Sequence, residues 1–368
     1  MNDEQLYQIA VSLIPNLKIV NIMGLLNNLG SPEAVFNKKN LSRVSDLPME
    51  SREALLNGSL LLAAEKELKS MDENGIKGRF INDKDYPRRL RECPDAPIML
   101  YSRGYCDLDA QKVVSIVGTR HATPLGKETA QLLIRDLSMH FPELFIVSGL
   151  AYGIDVISHQ SAMQYGFKTI GVLAHGLHEI YPTPHRRIAD EMVEKGGQLL
   201  TEHTWGTPSL PFRFRQRNRI IAGLCDACIV VESSTDGGSM ITAKFARDYN
   251  RDVLAFPGRI VDKYSSGCNE LIKKQYAGLV ESAEDVIHEL NWNSPLKRKA
   301  RQQNLFSELP PQQKMILDIL KVGEIMTVND ISIQTDLKVN EILSHMLELE
   351  MEGLTEGLPG GRFRRKSR

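Results

Sequence analysis

The chain has 368 residues, of which 45 are basic, 46 acidic and 42% hydrophobic. That length exceeds one average domain, and the even charge balance excludes a molecule-wide positive field, so any contact with a polyanion must come from a local basic patch. No apolar stretch approaches the roughly 20 residues of a membrane helix, and the polar start MNDEQLYQIA does not read as a signal peptide, so a cytoplasmic chain with no membrane partner is expected.

Residues 1–75 read as a small helical module. IVNIMGLLNNLGSPEAVF has helical apolar spacing, breaks at Gly30, and restarts with Ser31 as N-cap and Pro32 behind it. These residues alone leave open whether the module packs, binds a partner or touches nucleic acid. Residues 76–111 read as a proline-rich bridge.

From 112 to 291, apolar β-branched runs alternate with helical stretches: VVSIVG, LFIVSG, KTIGVLA, QLLTE, ACIVVE and DVLAFPG. Near-continuous apolar runs imply strands buried on both faces, hence a mainly parallel, doubly wound α/β sheet. Residues 292–308 form a polar, basic linker. Residues 309–368 read as three helices followed by a short hairpin, the pattern of a winged-helix module. The third helix, KVNEILSHMLELEMEGL, is rich in glutamate. That suits a protein partner better than a DNA groove.

Doubly wound sheets bind ligands at the carboxyl ends of their strands, so the segments that follow each strand carry the functional argument. Gly118, Thr119 and Arg120 follow the first run, with a helix expected from about Pro124 whose N–H groups favour anions. Ser148, Gly149, Tyr152 and Gly153 follow the second, and Asp155 reads as a helix-start carboxylate rather than a catalytic one. His175, His178 and His185 fall irregularly on a loop that leads to Arg186 and Arg187, so no metal is expected. In RFRQRNRIIAGL, Arg213, Arg215, Arg217 and Arg219 alternate beside Phe212, Phe214 and Asn218. Arginines suit phosphates and aromatic faces suit bases. Period two cannot gather four arginines on one helix face, so part of this segment is expected to be extended. Gly237, Gly238 and Ser239 lead into a helix carrying Thr242 and Lys244, a second phosphate cradle without the G-K-[ST] ending of a P-loop.

Catalytic equipment is thin. Glu202 and Glu232 are the only acid/base candidates near strand ends. The pair Cys225 and Cys228 runs into an apolar strand, and buried thiols explain it better than a metal or redox site. The residues themselves describe a binder of a phosphate-rich ligand, with no cofactor.

IVGTR, SGLAYGID, GLHEIYP, RNRIIAGL, GGSMITA, FPG and SGCNELI occur in that order across the central domain. In them the chain resembles the bacterial DNA-processing protein A family (DprA, also called Smf). The resemblance implies an extended Rossmann-like domain between a sterile-alpha-motif-like module and a winged helix. It implies binding of single-stranded DNA during natural transformation, protection of that DNA, loading of the RecA recombinase and a homodimer through the Rossmann-like domain. It implies no catalytic activity. Arg120 and the arginines of FRFRQRNR match the family's basic pocket, and Tyr152 stands where a basic residue is common. The rival is a nucleotide-processing enzyme of the lysine-decarboxylase-like phosphoribohydrolase (LOG) type. GGSMITA resembles that group's loop only loosely, and the glutamate that should follow is missing.

Overall fold

A computed structural model describes residues 3–41, 47–292, 310–321, 325–351, 354–358 and 360–365. The chain divides into two compact units, residues 1–295 and 296–368. The expected linker falls on residues outside those described, apart from Trp292 at its start.

The first unit opens with helices α1 (Asp3–Ser12), α2 (Ile19–Leu29), α3 (Pro32–Val35), α4 (Lys38–Leu41), α5 (Met49–Leu56) and α6 (Ser59–Asn74). Gly30 closes α2 at φ 88°, and Ser31 caps α3 through the Ala34 N–H at 3.2 Å, as their sequence implies.

Residues 76–111 are not a bridge. They form β1 (Lys77–Phe80), the short helix α7 (Arg88–Arg91) and β2 (Met99–Gly104). Both strands extend the main sheet antiparallel, β1 on β2 and β2 on β6 (Gln198–Thr201). The prolines that suggested a connector lie ahead of the strand, where no ladder bond is lost. Arg89 then locks the segment in place, its guanidinium forking onto Asp226 at 2.6 and 3.0 Å.

The central chain alternates strand and helix as expected: β3 (Val113–Val117), α8 (Pro124–His140), β4 (Phe145–Ser148), α9 (Ile154–Gln164), β5 (Thr169–Val172), α10 (Arg186–Glu194) and β6. It continues with α11 (Pro211–Gly223), β7 (Ala227–Val230), α12 (Gly238–Asp248), β8 (Asp252–Ala255), α13 (Ser266–Lys273), β9 (Gly278–Leu279) and α14 (Ala283–Glu289). The nine strands run in the order β1-β2-β6-β5-β4-β3-β7-β8-β9, parallel from β6 to β9.

Alternation within each strand feeds two buried faces. Val113 and Val117 join one cluster, which continues through Leu199 and Val230 to Ile9 and Leu26 of the helical module. Val114 and Ile116 join the other, with Leu133, Ile134, Ile229 and Val286. The N-terminal helices therefore share a core with one face of the sheet. All five cysteines are free and buried, and burial pushes the Cys225 thiol up to about 11.

Two histidines pack neutral inside this unit. The Thr169 hydroxyl gives its proton to Ile146 O, so it accepts from His159 Nδ1 at 2.6 Å. Burial lowers His159 to about 3 and His203 to about 4 from 6.5. A depressed folded pKa gives stability that is complete above pH 6.5 and lost as pH falls toward those values, at about 1.4 kcal/mol per pH unit for each proton. Buried Asp155 and half-buried Glu202, whose carboxyls desolvation raises, act in the opposite sense. The melting temperature of the parent should therefore drop more steeply than that of His159→Gln between pH 6.5 and 4.5. Parallel curves would remove His159 from this account.

The second unit contains α15 (Pro311–Ile319), β10 (Ile325–Thr327), α16 (Val328–Thr335), α17 (Val339–Met351), β11 (Thr355–Leu358) and β12 (Arg362–Arg365). The three helices close on Ile316, Leu317, Ile331, Ile342, Met346 and Leu349. A three-stranded antiparallel sheet, β10-β12-β11, forms the wing.

Candidate nucleic-acid interface

The winding of the sheet reverses at β3: β4, β5 and β6 lie to one side, β7, β8 and β9 to the other. A crevice opens at the strand ends of such a switch point. Here it has a volume of about 420 Å³, and it is walled by Gly118–His121 after β3, by α11, by the turn into α12, and by Lys263 and Tyr264 after β8.

Arg217 forms the floor. It is 4% exposed and donates through Nη1 to Gly149 O at 2.7 Å and to Val172 O. A Cβ at Gly149 would stand 2.6 Å from this guanidinium, so the glycine makes room for the buried charge. Asp155, also buried, is its charge partner. Burial depresses the Arg217 pKa to about 10, while Asp155 favours its cation.

The helix N-termini differ. At α8 the buried Glu232 carboxylate accepts from Thr123 N at 2.9 Å and from Thr123 Oγ1 at 2.5 Å, and Thr123 caps Gly126 N at 3.0 Å. The anion site expected there is already filled by the protein's own carboxylate. Asp155 sits in the first turn of α9, its Oδ2 accepting from Ala151 N at 3.4 Å. Gly153 enters that helix at φ 77°, ψ −128°. A Cβ there would lie 2.2 Å from Thr119 O, so only glycine fits. The start of α12 is different: Gly237 and Gly238 supply no side-chain cap, and the space beside Gly238 is open. Its first N–H groups face an anion-ready opening.

The rim is basic. Arg120, Arg215 and Lys263 are exposed on the crevice wall. Arg120 lies over the Phe214 ring, 5.7 Å from its centroid, and Tyr181 packs on the same ring at 5.3 Å. Phe214 itself is half-buried and lines the crevice. Tyr264 stacks on His121 at 6.1 Å, and both line the crevice.

Of the residues singled out in the sequence, Gly118, Thr119, Arg120, Phe214, Arg215, Arg217, Asn218, Gly238, Ser239 and Thr242 line this cavity. Others do not. Ser148 is buried and donates to Ile116 O at 2.7 Å. Gly149 lies beneath the floor. Tyr152 packs edge-on against His185 at 4.9 Å. Arg186 begins α10 in a separate surface depression. Phe212 is exposed under Arg213, and Lys244 is exposed further along α12.

The arginine segment is not extended. It is helix α11 from Pro211 onward, with proline in the first turn where its missing N–H costs nothing. Its arginines consequently fan out. Arg215 reaches the crevice and Arg217 its floor, while Arg213 and Arg219 line a second groove on the opposite side. Arg219 is held by Glu202 and, at 3.9 Å, by Asp95; these acidic partners are distant in sequence. Neither Glu202 nor Glu232 lines the crevice. His121, Lys263 and Tyr264 are additions that the sequence reading missed. The last two follow a strand in the turn after FPG, and the strand-end rule applied there points to them.

A doubly wound sheet with a crevice at its switch point, in a chain that also carries a winged helix, defines an α/β protein of the Rossmann-like class with a winged-helix module. Residues 77–291 match the family described as DNA recombination-mediator protein A, and residues 301–361 match the DprA winged helix domain. The chain belongs to the DNA recombination-mediator protein A family. It is 42% identical over 212 residues to the DNA processing protein DprA of Streptococcus pneumoniae, covering 58% of this chain and 73% of that one. It is 34% identical over 284 residues to Protein Smf of Escherichia coli, covering 76% and 75%. The X-ray structure of the S. pneumoniae protein superposes with a TM-score of 0.65 at 32% identity, covering 78% of this chain and 98% of that one. A Helicobacter pylori DNA processing protein A, described for its single-stranded DNA binding mode, gives 0.53 at 29% identity over 60% of this chain and 97% of that one.

Proposed function

We propose that the crevice binds single-stranded DNA by its phosphates and does no chemistry on it. The observation that carries this is the convergence of three exposed cations, Arg120, Arg215 and Lys263, on a crevice that also receives the uncapped start of α12. The single-stranded DNA binding mode of the H. pylori relative supports the same reading. Both acid/base candidates are engaged elsewhere, Glu202 by Arg219 and Glu232 by Thr123, which supports binding without catalysis.

The finer parts of the proposal follow the family. The protein protects a strand taken up during transformation, hands it to RecA in the cytoplasm, and works as a homodimer through the Rossmann-like domain. The winged helix serves as an accessory interaction module. No helix among the described residues is long and apolar enough to cross a membrane.

Gel shift with oligo(dT) and with duplex of equal length tests this directly. The single strand should bind more tightly, and affinity should fall steeply between about 50 and 200 mM salt, as phosphate contacts require. Equal affinity for both, or release of free base from a nucleoside monophosphate by the purified protein, would overturn the proposal in favour of a different binder or a phosphoribohydrolase.

A further inference from the structure

Beside the crevice, between β8 and α13, a short loop carries two aliphatic side chains held out in water: Ile260 is 94% exposed and Val261 80%. Asp262 N donates to Arg259 O at 3.1 Å, so the two residues occupy the central positions of a β-turn. Turn chemistry favours Gly, Pro, Asn, Asp or Ser there, and bulky β-branched residues gain nothing from the position.

The loop is also anchored at both feet. At one, Asn269 bridges Gly258, accepting from its N–H at 3.1 Å and donating to its carbonyl at 2.9 Å. At the other, Ser233 N donates to Tyr264 O at 2.6 Å. The tip is thus presented on a pinned base, a pre-organised arrangement that costs little ordering when a ligand arrives. Lys263, two residues past Val261, already lines the crevice, and Arg259 flanks the tip on the other side, its side chain 77% exposed.

We infer that Ile260 and Val261 form an apolar wedge that inserts between bases of the strand whose phosphates lie in the crevice. The inference rests on the single-stranded DNA reading proposed above. Lys263 at the crevice and Arg259 beyond the tip flank the two aliphatics, while Asp262, between Val261 and Lys263, lies 4.0 Å from Arg259; aliphatic wedges between base steps are a known mode of nucleic-acid contact. The wedge contributes base-dependent affinity without sequence preference, because every base presents an apolar face.

The test compares oligo(dT) with an abasic strand of the same length, using the full chain and the variant I260S/V261S, whose serines suit a turn. The parent should prefer oligo(dT). The variant should lose about tenfold in affinity for oligo(dT), within the range for one base contact, and none for the abasic strand, with the salt slope unchanged. I260W should restore or strengthen the preference for bases. A variant equal to the parent on oligo(dT) overturns the wedge and leaves the crevice reading standing. Equal weakening on both strands, or a lower sedimentation mass in the variant, also overturns it, because the pair then supports the fold or joins two copies. A parent that binds neither strand overturns the crevice reading and the wedge with it.

Discussion

Replacing Arg217 with methionine should lower the stability of the first unit by about 3–5 kcal/mol, the cost of removing one partner from a buried charge pair. Methionine fills much of the volume, so loss of charge and hydrogen bonds dominates over cavity formation. The change strips Gly149 O and Val172 O of their donor and leaves the buried Asp155 carboxylate without its cation. Asp155 should answer by binding a proton at higher pH, since burial already raises its pKa. The double variant R217M/D155N should therefore lose less than the sum of the single losses, by at least about 1 kcal/mol, the size of coupling seen between contacting residues. Urea unfolding followed by tryptophan fluorescence is suited to the test, because both tryptophans, Trp205 and Trp292, lie in this unit. An R217M protein of unchanged stability that binds DNA about tenfold more weakly, a loss of about 1.4 kcal/mol, would instead make Arg217 a direct phosphate contact.

That contrast shows where the sequence was legible. The strands from β3 to β8 are visible because each is buried on both faces and reads as an unbroken apolar run. The three helices of the second unit are visible through helical periodicity. β1 and β2 were hidden because they are antiparallel additions at the sheet margin, separated by a proline-containing segment and carrying polar residues such as Lys77 and Ser102. β2 is placed by its partner β6, nearly a hundred residues away, and β1 by β2.

The site was half legible for a related reason. Which turns face the crevice follows from strand order, and the residues after β3, at α11 and before α12 were found that way. What each charge faces was not visible. Arg213, Arg215, Arg217 and Arg219 are alike in sequence, yet helix α11 turns about 200° between alternate residues. One arginine becomes rim, one floor, and two wall a separate groove. The partners of Arg219 are invisible in its own segment, because Glu202 and Asp95 reach it from elsewhere in the chain. The start of α8 likewise looked open to anions until Glu232 arrived from the end of β7 to fill it.

Arg120 has the opposite character from Arg217, and its replacement should separate binding from folding. It is exposed at the crevice mouth, and it lies over the Phe214 ring. Arg120→Ala should leave urea stability within about 0.5 kcal/mol, as for surface changes that break no buried interaction. It should weaken oligo(dT) binding by about 1–3 kcal/mol, the range for a charge-assisted hydrogen bond. If Arg120 neutralises one phosphate, the slope of log affinity against log salt should become shallower by about 0.7 for a single strand. Arg120→Lys should keep that slope while recovering only part of the affinity, because an ammonium neutralises the phosphate without the planar, two-pronged donor set. Lys263→Ala, in the same crevice, should produce a similar change of slope, and the two losses should nearly add if the residues grip different phosphates. A gel-shift affinity and salt slope both unchanged in Arg120→Ala would remove the crevice as the DNA site, and would direct attention to the groove behind α11, where Arg213 and Arg219 lie.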